Sequence, residues 1–366
     1  MVQVNPPSLE ESSKIVQTAY RNGIFSNSAE LHEKASKTLA ESIDANFCGY
    51  LASNNTMALV ACLISIGVRG KHVLLSNFTF PATLDAIILA GGIPVVCDID
   101  PDTLVMDIKN VEKVINDPNY EIVAAVPTRV FGFVTDLSKL VSVCNESGIE
   151  VVVDAAASLP SQSGFWKFEK QARYEVFSLH ATKVFGIGEG GLVVGDSGSI
   201  EKVRQTSNFG FVNDGKIHFR DGLNAKADEF TAARALARHQ VYSDDVEKRR
   251  EFIKMYKAIF SKNLKIKMLE EGLDTIYSYF PIIFESENQL LEFQKVIAPF
   301  IMSRRYYFPT IKSGYSGDAK IVFGDNLELS ESIATRILCL PVYVACNVEV
   351  EAEIKNLITK ALSELV

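Results

Sequence analysis

Between Ala52 and Val194 the chain repeats one pattern, a short and almost wholly apolar run followed by a stretch with helical spacing. The runs "HVLLS" (72–76), "IPVVCDI" (93–99), "IVAAVP" (122–127), "EVVVDA" (150–155), "VFSL" (176–179) and "LVVG" (192–195) predict strands. Between them, "TMALVACLISIG" (56–67), "PATLDAIILAG" (81–91), "NVEKVIND" (110–117) and "DLSKLVSVCNESG" (136–148) predict helices. A strand with one face in water alternates polar and apolar residues, and these runs do not. They need cover on both faces, which the intervening helices supply if the sheet is mostly parallel. The fold class is therefore α/β, with roughly seven strands in a mostly parallel sheet. A ligand site is expected beyond the carboxyl ends of those strands.

After about Asp228 the pattern ends. "EFTAARALARHQVYSDDVEKRREFIKMYKAIF" reads as one long helix. "YSYFPIIF", "RRYYFP" and the amphipathic "EVEAEIKNLITKALSEL" follow. A chain of 366 residues exceeds one usual core. Two domains are expected, a large one over 1–240 with an N-terminal helical segment and a smaller α+β one over 241–366. The net charge of −8 argues against a nucleic-acid surface. An acidic protein can still carry a local anion site, because a few oriented N–H groups can bind phosphate. Cys48, Cys62, Cys97, Cys144, Cys339 and Cys346 are scattered, mostly in apolar runs, and read as small core residues in a reducing compartment. The opening "MVQVNPPSLEESS" lacks the layout of a signal peptide, and no run reaches the roughly 18 apolar residues of a membrane span. The expectation is a cytoplasmic protein with no metal, membrane or nucleic-acid partner.

"SLHATKVFGIGEGG" (178–191) contains G-x-G-x-x-G at Gly186, Gly188 and Gly191. As a dinucleotide fingerprint it would follow a strand and open a helix. Here the strand "GLVVGD" follows, and helical spacing resumes only at about Ser199. The dehydrogenase reading fails on that order, and Lys183 becomes the residue to explain. It stands just past a strand, where site residues gather. Asp154 ends "EVVVD". "SNNTMAL" (53–59) sets Asn55 and Thr56 at a helix start, whose free N–H groups favour a phosphate. Ser178 adds a hydroxyl, and Phe80 in "NFTFPAT" adds a ring. Each of these alone has an ordinary structural explanation as a cap, a turn or a core ring. Together, in this order, they describe a pocket for a phosphorylated aromatic aldehyde, pyridoxal 5'-phosphate. Asp154 would face the ring nitrogen, and Lys183 would form the Schiff base and move protons.

"SNNTMAL", "SNFTFPATLDAIILAGGIPVVCDIDPDTL", "VVVDAAAS", "FSLHATKVFGIGEGG", "NFGF" and "GLNAKADEFTAARAL" succeed one another in an order that resembles the DegT-type (DegT/DnrJ) sugar aminotransferases. These are fold type I pyridoxal-phosphate enzymes with an aspartate-aminotransferase-like large domain. The likeness is close over about residues 50–240 and looser at "SRRYYFP". It implies that Lys183 is the Schiff-base lysine and that Asp154 pairs with the pyridine nitrogen. It further implies that Ser178 and the backbone around Asn55 and Thr56 hold the phosphate, and that Phe80 stacks on the ring. Asn224, in "GLNAK", would reach the phosphate of the neighbouring subunit, so that a homodimer builds shared sites. L-glutamate would be the amino donor, with pyridoxamine 5'-phosphate formed in turnover. The acceptor implied is a nucleotide-linked keto-deoxysugar, foremost a dTDP-4-keto-6-deoxyhexose aminated at C4 for surface polysaccharide or O-antigen. A 3-keto sugar, a UDP- or GDP-linked sugar, or a catalytically impaired regulatory homologue are the alternatives. Related sugar dehydratases carry histidine in place of the lysine. His180, Arg129, Arg220, Tyr306 and Tyr307 are candidates for substrate contact.

The chain departs from the family pattern in four places. Asn55 stands where glycine is usual, and asparagine tolerates the left-handed backbone that such a glycine would supply. Ala157 replaces a Gln or His that reaches the cofactor's ring hydroxyl. Arg129, in "PTRVFG", replaces a histidine, and Ala29-Glu30 replaces Gly-Pro. These changes imply an altered substrate pocket or reduced activity.

Overall fold

The structure, a computed structural model, describes residues 9–160, 172–212, 216–217, 221–263, 265–270, 275–324, 326–344 and 346–365. Arg220 lies outside them. Seven strands come from the first part of the chain: β1 (Cys48–Ala52), β2 (His72–Ser76), β3 (Ile93–Cys97), β4 (Ile122–Val126), β5 (Glu150–Asp154), β6 (Tyr174–Ser178) and β7 (Gly191–Gly195). Four follow: β8 (Ile266–Met268), β9 (Phe280–Phe284), β10 (Val322–Phe323) and β11 (Ile337–Leu340). The helices are α1 (Leu9–Asn22), α2 (Glu30–Ile43), α3 (Asn55–Ile66), α4 (Pro81–Leu89), α5 (Ile108–Ile115), α6 (Ser138–Glu146), α7 (Ser197–Ser207), α8 (Glu229–Phe260), α9 (Glu287–Ile297), α10 (Ile311–Gly314), α11 (Glu328–Arg336) and α12 (Val348–Ser363).

Among the described residues the large sheet has eight strands, in the order β1-β7-β6-β5-β4-β2-β3-β10. Only β7 runs against its neighbours, β1 and β6. The apolar strands serve two cores at once, as the pattern requires. Leu74, Val151 and Val153 face one core with α1, α2, α5, α6 and α8, while Val73, Leu75 and Val152 face another with α3, α4 and α7. A third core gathers the end of α8, β8, β9, β11, α9 and α12 around the antiparallel sheet β11-β9-β8.

Two strands differ from the sequence reading. β1 carries no long apolar run, yet it forms because Gly49 lets it lie against α2; a Cβ there would stand 2.4 Å from Ser36 O. The eighth strand, β10, pairs with β3 at Val95 and Val96 from far along the chain. Two residues carry no periodicity to read. Cys62, Cys97, Cys144 and Cys339 are buried, whereas Cys48 is exposed. No helix among the described residues is long and apolar enough to cross a membrane.

Candidate active site

β4, β5 and β6 run parallel, so their carboxyl ends open on one edge and bring Thr128, Asp154 and Ser178 side by side. α3 starts at that edge just after β1, with Asn54 as its N-cap accepting from Met57 N at 2.9 Å. The glycines of 186–191 shape the loop between them. A Cβ on Gly186 would meet Lys183 O at 2.9 Å, and one on Gly191 would meet Asn54 O at 2.6 Å. β7 can therefore press on the start of α3 only because residue 191 has no side chain.

A cleft of about 630 Å³ opens there. Asn55, Thr56, Phe80, Arg129, Asp154, Ser178, His180, Lys183, Tyr306 and Tyr307 all line it. Asn224 does not; it lies at the surface and accepts from Lys226 Nζ at 2.9 Å. Asp154 is 3% exposed. Its Oδ2 accepts from Thr83 Oγ1 at 2.7 Å and its Oδ1 from Ala156 N at 3.1 Å, with the Asn55 side chain as a further donor. Burial pushes the Asp154 carboxyl above its usual range, against those donors and the charge of Lys183. Burial also pulls Lys183 below its ordinary 10.5, only partly opposed by Asp154. Burial thus loosens the hold of the amine on its proton, beside a buried carboxylate that a cationic partner would suit.

Ser178 Oγ accepts from His180 N at 3.3 Å, which leaves its own proton for a ligand. Asn55 Oδ1 is buried with no hydrogen-bond partner among the described residues. Asn55 is the first residue of α3 and is not among the residues with positive φ. The expected left-handed backbone is thus corrected: the helix start supplies its N–H groups from ordinary helical geometry, so asparagine fits. Arg129 is 2% exposed. It touches the cleft, but its Nη1 lies 3.1 Å from Glu175 Oε1, which is itself wholly buried in β6. His180 stands at the mouth, its Nδ1 2.8 Å from Thr182 Oγ1 and its Nε2 3.6 Å from Glu189 Oε1. Phe80, the N-cap of α4, is 53% exposed on the rim. The Tyr307 ring stacks on Phe131 at 5.8 Å and meets Phe78 edge-on at 5.2 Å. Tyr306 meets Tyr279 edge-on at 5.3 Å.

The sequence reading missed Thr128, Phe131, Ser278 and Tyr279, which also line the cleft. It also missed what holds them. Arg238, Tyr242, Asp245 and Arg249 recur at helical spacing on α8 and are all buried. Arg238 Nη2 donates to Val184 O, beside the lysine, at 2.8 Å and to Asp245 Oδ2 at 2.5 Å. Tyr242 donates to Leu159 O. Arg249 donates to Tyr277 O at 3.0 Å, Ser278 O at 3.1 Å and Val342 O at 3.2 Å. Polar residues repeating every three to four positions inside an otherwise apolar face were the available signal.

The profile of the DegT/DnrJ/EryC1/StrS aminotransferase family matches residues 8–359. The chain belongs to that family. It is similar to the dTDP-4-amino-4,6-dideoxy-D-glucose transaminase of Shigella dysenteriae, 28% identical over 373 residues, spanning 100% of this chain and 98% of that one. It is also similar to the UDP-2-acetamido-2-deoxy-3-oxo-D-glucuronate aminotransferase of Pseudomonas aeruginosa, 24% identical over 333 residues, spanning 90% and 89%. The solved structure of DesI in the presence of its TDP-sugar product superposes with a TM-score of 0.85 at 23% identity, covering 98% of this chain and 92% of that one. This likeness gives the fold, that of the fold type I pyridoxal-phosphate enzymes. The chain is accordingly an aminotransferase that uses pyridoxal phosphate. Its cleft fits that group: a helix start and a free hydroxyl for a phosphate, a buried carboxylate for a ring cation, and a desolvated lysine.

Proposed function

We propose that this aminotransferase moves an amino group from L-glutamate to C4 of a dTDP-linked 4-keto-6-deoxyhexose. The product is a 4-amino-4,6-dideoxy sugar for surface polysaccharide or O-antigen. The observation that carries the chemistry is the desolvated Lys183 in one cleft with the buried Asp154 and the start of α3. The dTDP sugar is favoured by the full-length likeness to the Shigella dysenteriae transaminase. A second reading, amination at C3 of a UDP-linked sugar, is favoured by the Pseudomonas aeruginosa relative.

Bound pyridoxal phosphate supplies an electron sink for the carbon next to the transferred nitrogen. Lys183 Nζ would carry the proton in each half-reaction, from Cα of glutamate to the cofactor and then from the cofactor to the sugar carbon. Asp154 would hold the ring N–H, while Ser178 and the N–H groups at Asn55 and Thr56 would hold the phosphate. Phe80, at the rim, would cover the ring. His180, Arg129, Tyr306 and Tyr307 bound the space left for the sugar. Asn224 would complete the phosphate site of a second copy, so the working unit is a homodimer; its place is the cytoplasm. Residues 1–240 form the cofactor domain and 241–366 the smaller one, which lends β10 to the large sheet.

Purified protein loaded with cofactor is to be mixed with glutamate and, in turn, dTDP-, UDP- and GDP-linked keto sugars. 2-Oxoglutarate and amino sugar are then measured by mass spectrometry. The dTDP-4-keto sugar is expected to turn over about tenfold faster than the others, a modest difference in binding energy. Faster turnover of a UDP-linked 3-keto sugar selects the second reading. No 2-oxoglutarate with any acceptor sinks both.

A further inference from the structure

The turn that presents Phe80 to the cleft sends two hydroxyls toward Asp154. Thr79 and Thr83 stand one helical turn apart at the start of α4, each 1% exposed. Thr128, 4% exposed and just beyond β4, pairs in register with Asp154 at the end of β5. The three hydroxyls run in series. Thr83 Oγ1 lies 2.7 Å from Asp154 Oδ2, Thr79 Oγ1 lies 2.9 Å from Thr83 Oγ1, and Thr128 Oγ1 lies 2.8 Å from Thr79 Oγ1. Each hydroxyl has one proton, and an ionised carboxylate can only accept. Thr83 must then donate to Asp154, Thr79 to Thr83 and Thr128 to Thr79. The chain has a direction, fixed at the carboxylate and ending at Thr128 in the cleft wall.

We propose that this threonine chain holds Asp154 as an oriented acceptor for the cation bound in the cleft, with Thr83 the positioning residue and Thr79 and Thr128 its support. The proposal rests on the role given to Asp154 above. Thr83 fixes one carboxylate oxygen and Ala156 N the other, so the group cannot turn. Hydroxyls suit this task better than a cation would. They offset the desolvation of a buried carboxylate, and hydrogen bonds in series reinforce one another. Yet they leave its negative charge intact for the ligand, where an arginine or lysine would pair it off. Burial pushes Asp154 up, and Thr83 is foremost among the groups that oppose it.

The apoprotein and its variants are to be titrated with pyridoxal phosphate, following absorbance, with a thermal melt of each apoprotein alongside. Loss of one hydrogen bond to a charged group is expected to weaken cofactor binding about tenfold in Thr83→Val, with Thr83→Ser within about twofold of the parent. In an Asp154→Asn background Thr83→Val is expected to add nothing, because the two changes break one interaction. Binding by Thr83→Val within about twofold of the parent overturns the chain, whatever its melting temperature. Should Thr83→Val not fold, Thr128→Val is the substitute, expected to weaken binding about threefold as the remote end of a cooperative chain; no change there also overturns it. Unchanged binding in Asp154→Asn alone overturns the role of Asp154 and the chain with it. Weakening there but not in the threonine variants overturns the chain alone.

Discussion

Asp154 and Ser178 reach the cleft from adjoining strands of one sheet and Lys183 from the loop after β6, while Tyr279, Tyr306 and Tyr307 reach it from the C-terminal part of the chain. The first group is set by the strand ladder: once β5 and β6 pair, Asp154 lies beside Val176 and Ser178 follows at the same edge. The tyrosine wall is tied to the floor at a few points instead: Ile276 N donates to Gly132 O at 3.0 Å, Ser278 N to Phe131 O at 2.9 Å and Ser278 Oγ to Ala157 O at 2.7 Å. The rest of its backbone hangs on Arg249, which bonds the carbonyls of Tyr277 and Ser278, and on the paired bonds of Arg304 with Cys339. A ladder shares its load over many equivalent bonds. A buried arginine concentrates the same task in one side chain, whose loss orphans several carbonyls at once.

The contrast can be broken at either end. The largest effect is expected on the floor: Lys183→Ala lowers transamination about 10³-fold or more, as loss of nucleophile and proton carrier together requires. Its urea midpoint should stay near the parent's, because a desolvated amine contributes little to folding; a collapsed midpoint would make the lysine structural. On the wall, Arg249→Met is expected to cost about 3 kcal/mol or more in urea unfolding, from three buried carbonyls left unpaired. It should raise the KM for the sugar more than the Kd for the cofactor, and an equal rise in both would erase the distinction between floor and wall. Next comes the contact that lets the floor close. Gly191→Ala forces a Cβ onto Asn54 O and is expected to cost about 1–3 kcal/mol, with weaker phosphate binding in the apoprotein.

The smallest effect lies behind the floor. His32 Nδ1 at 3.8 Å and the Arg204 guanidinium hold Glu33 down to about 2, below its ordinary 4.5. A carboxylate depressed on folding stabilises above the unfolded value and loses that contribution as pH falls through the folded one. Glu33→Gln should therefore be less stable than the parent at pH 6, with the gap closing between about pH 4.5 and 2. A gap that persisted unchanged at pH 2 would show packing rather than charge as the cause. The pair is half-exposed, so the difference is expected to be small.

Much of the site was legible because strand-end chemistry is local. Lys183, Asp154 and Ser178 end or follow apolar runs, and Asn55 and Thr56 open a helix; each position can be read from its immediate neighbours. Thr79, Thr83 and Thr128 were not legible, since a threonine beside a helix start reads as a cap until its partner across the sheet is known. Arg129 was ambiguous in the same way: only the fold shows Glu175 waiting for it on β6.

The sequence by itself determined the α/β class, the edge of the sheet where chemistry gathers and the cofactor's class, because periodicity and strand-end position are properties of neighbouring residues. The tertiary structure alone decided that β10 closes the large sheet, that Asn224 stands outside the cleft of its own chain and that a polar stripe on α8 fixes the tyrosine wall. Those outcomes depend on which distant groups come within hydrogen-bonding reach, and reach across the fold leaves no period in the chain.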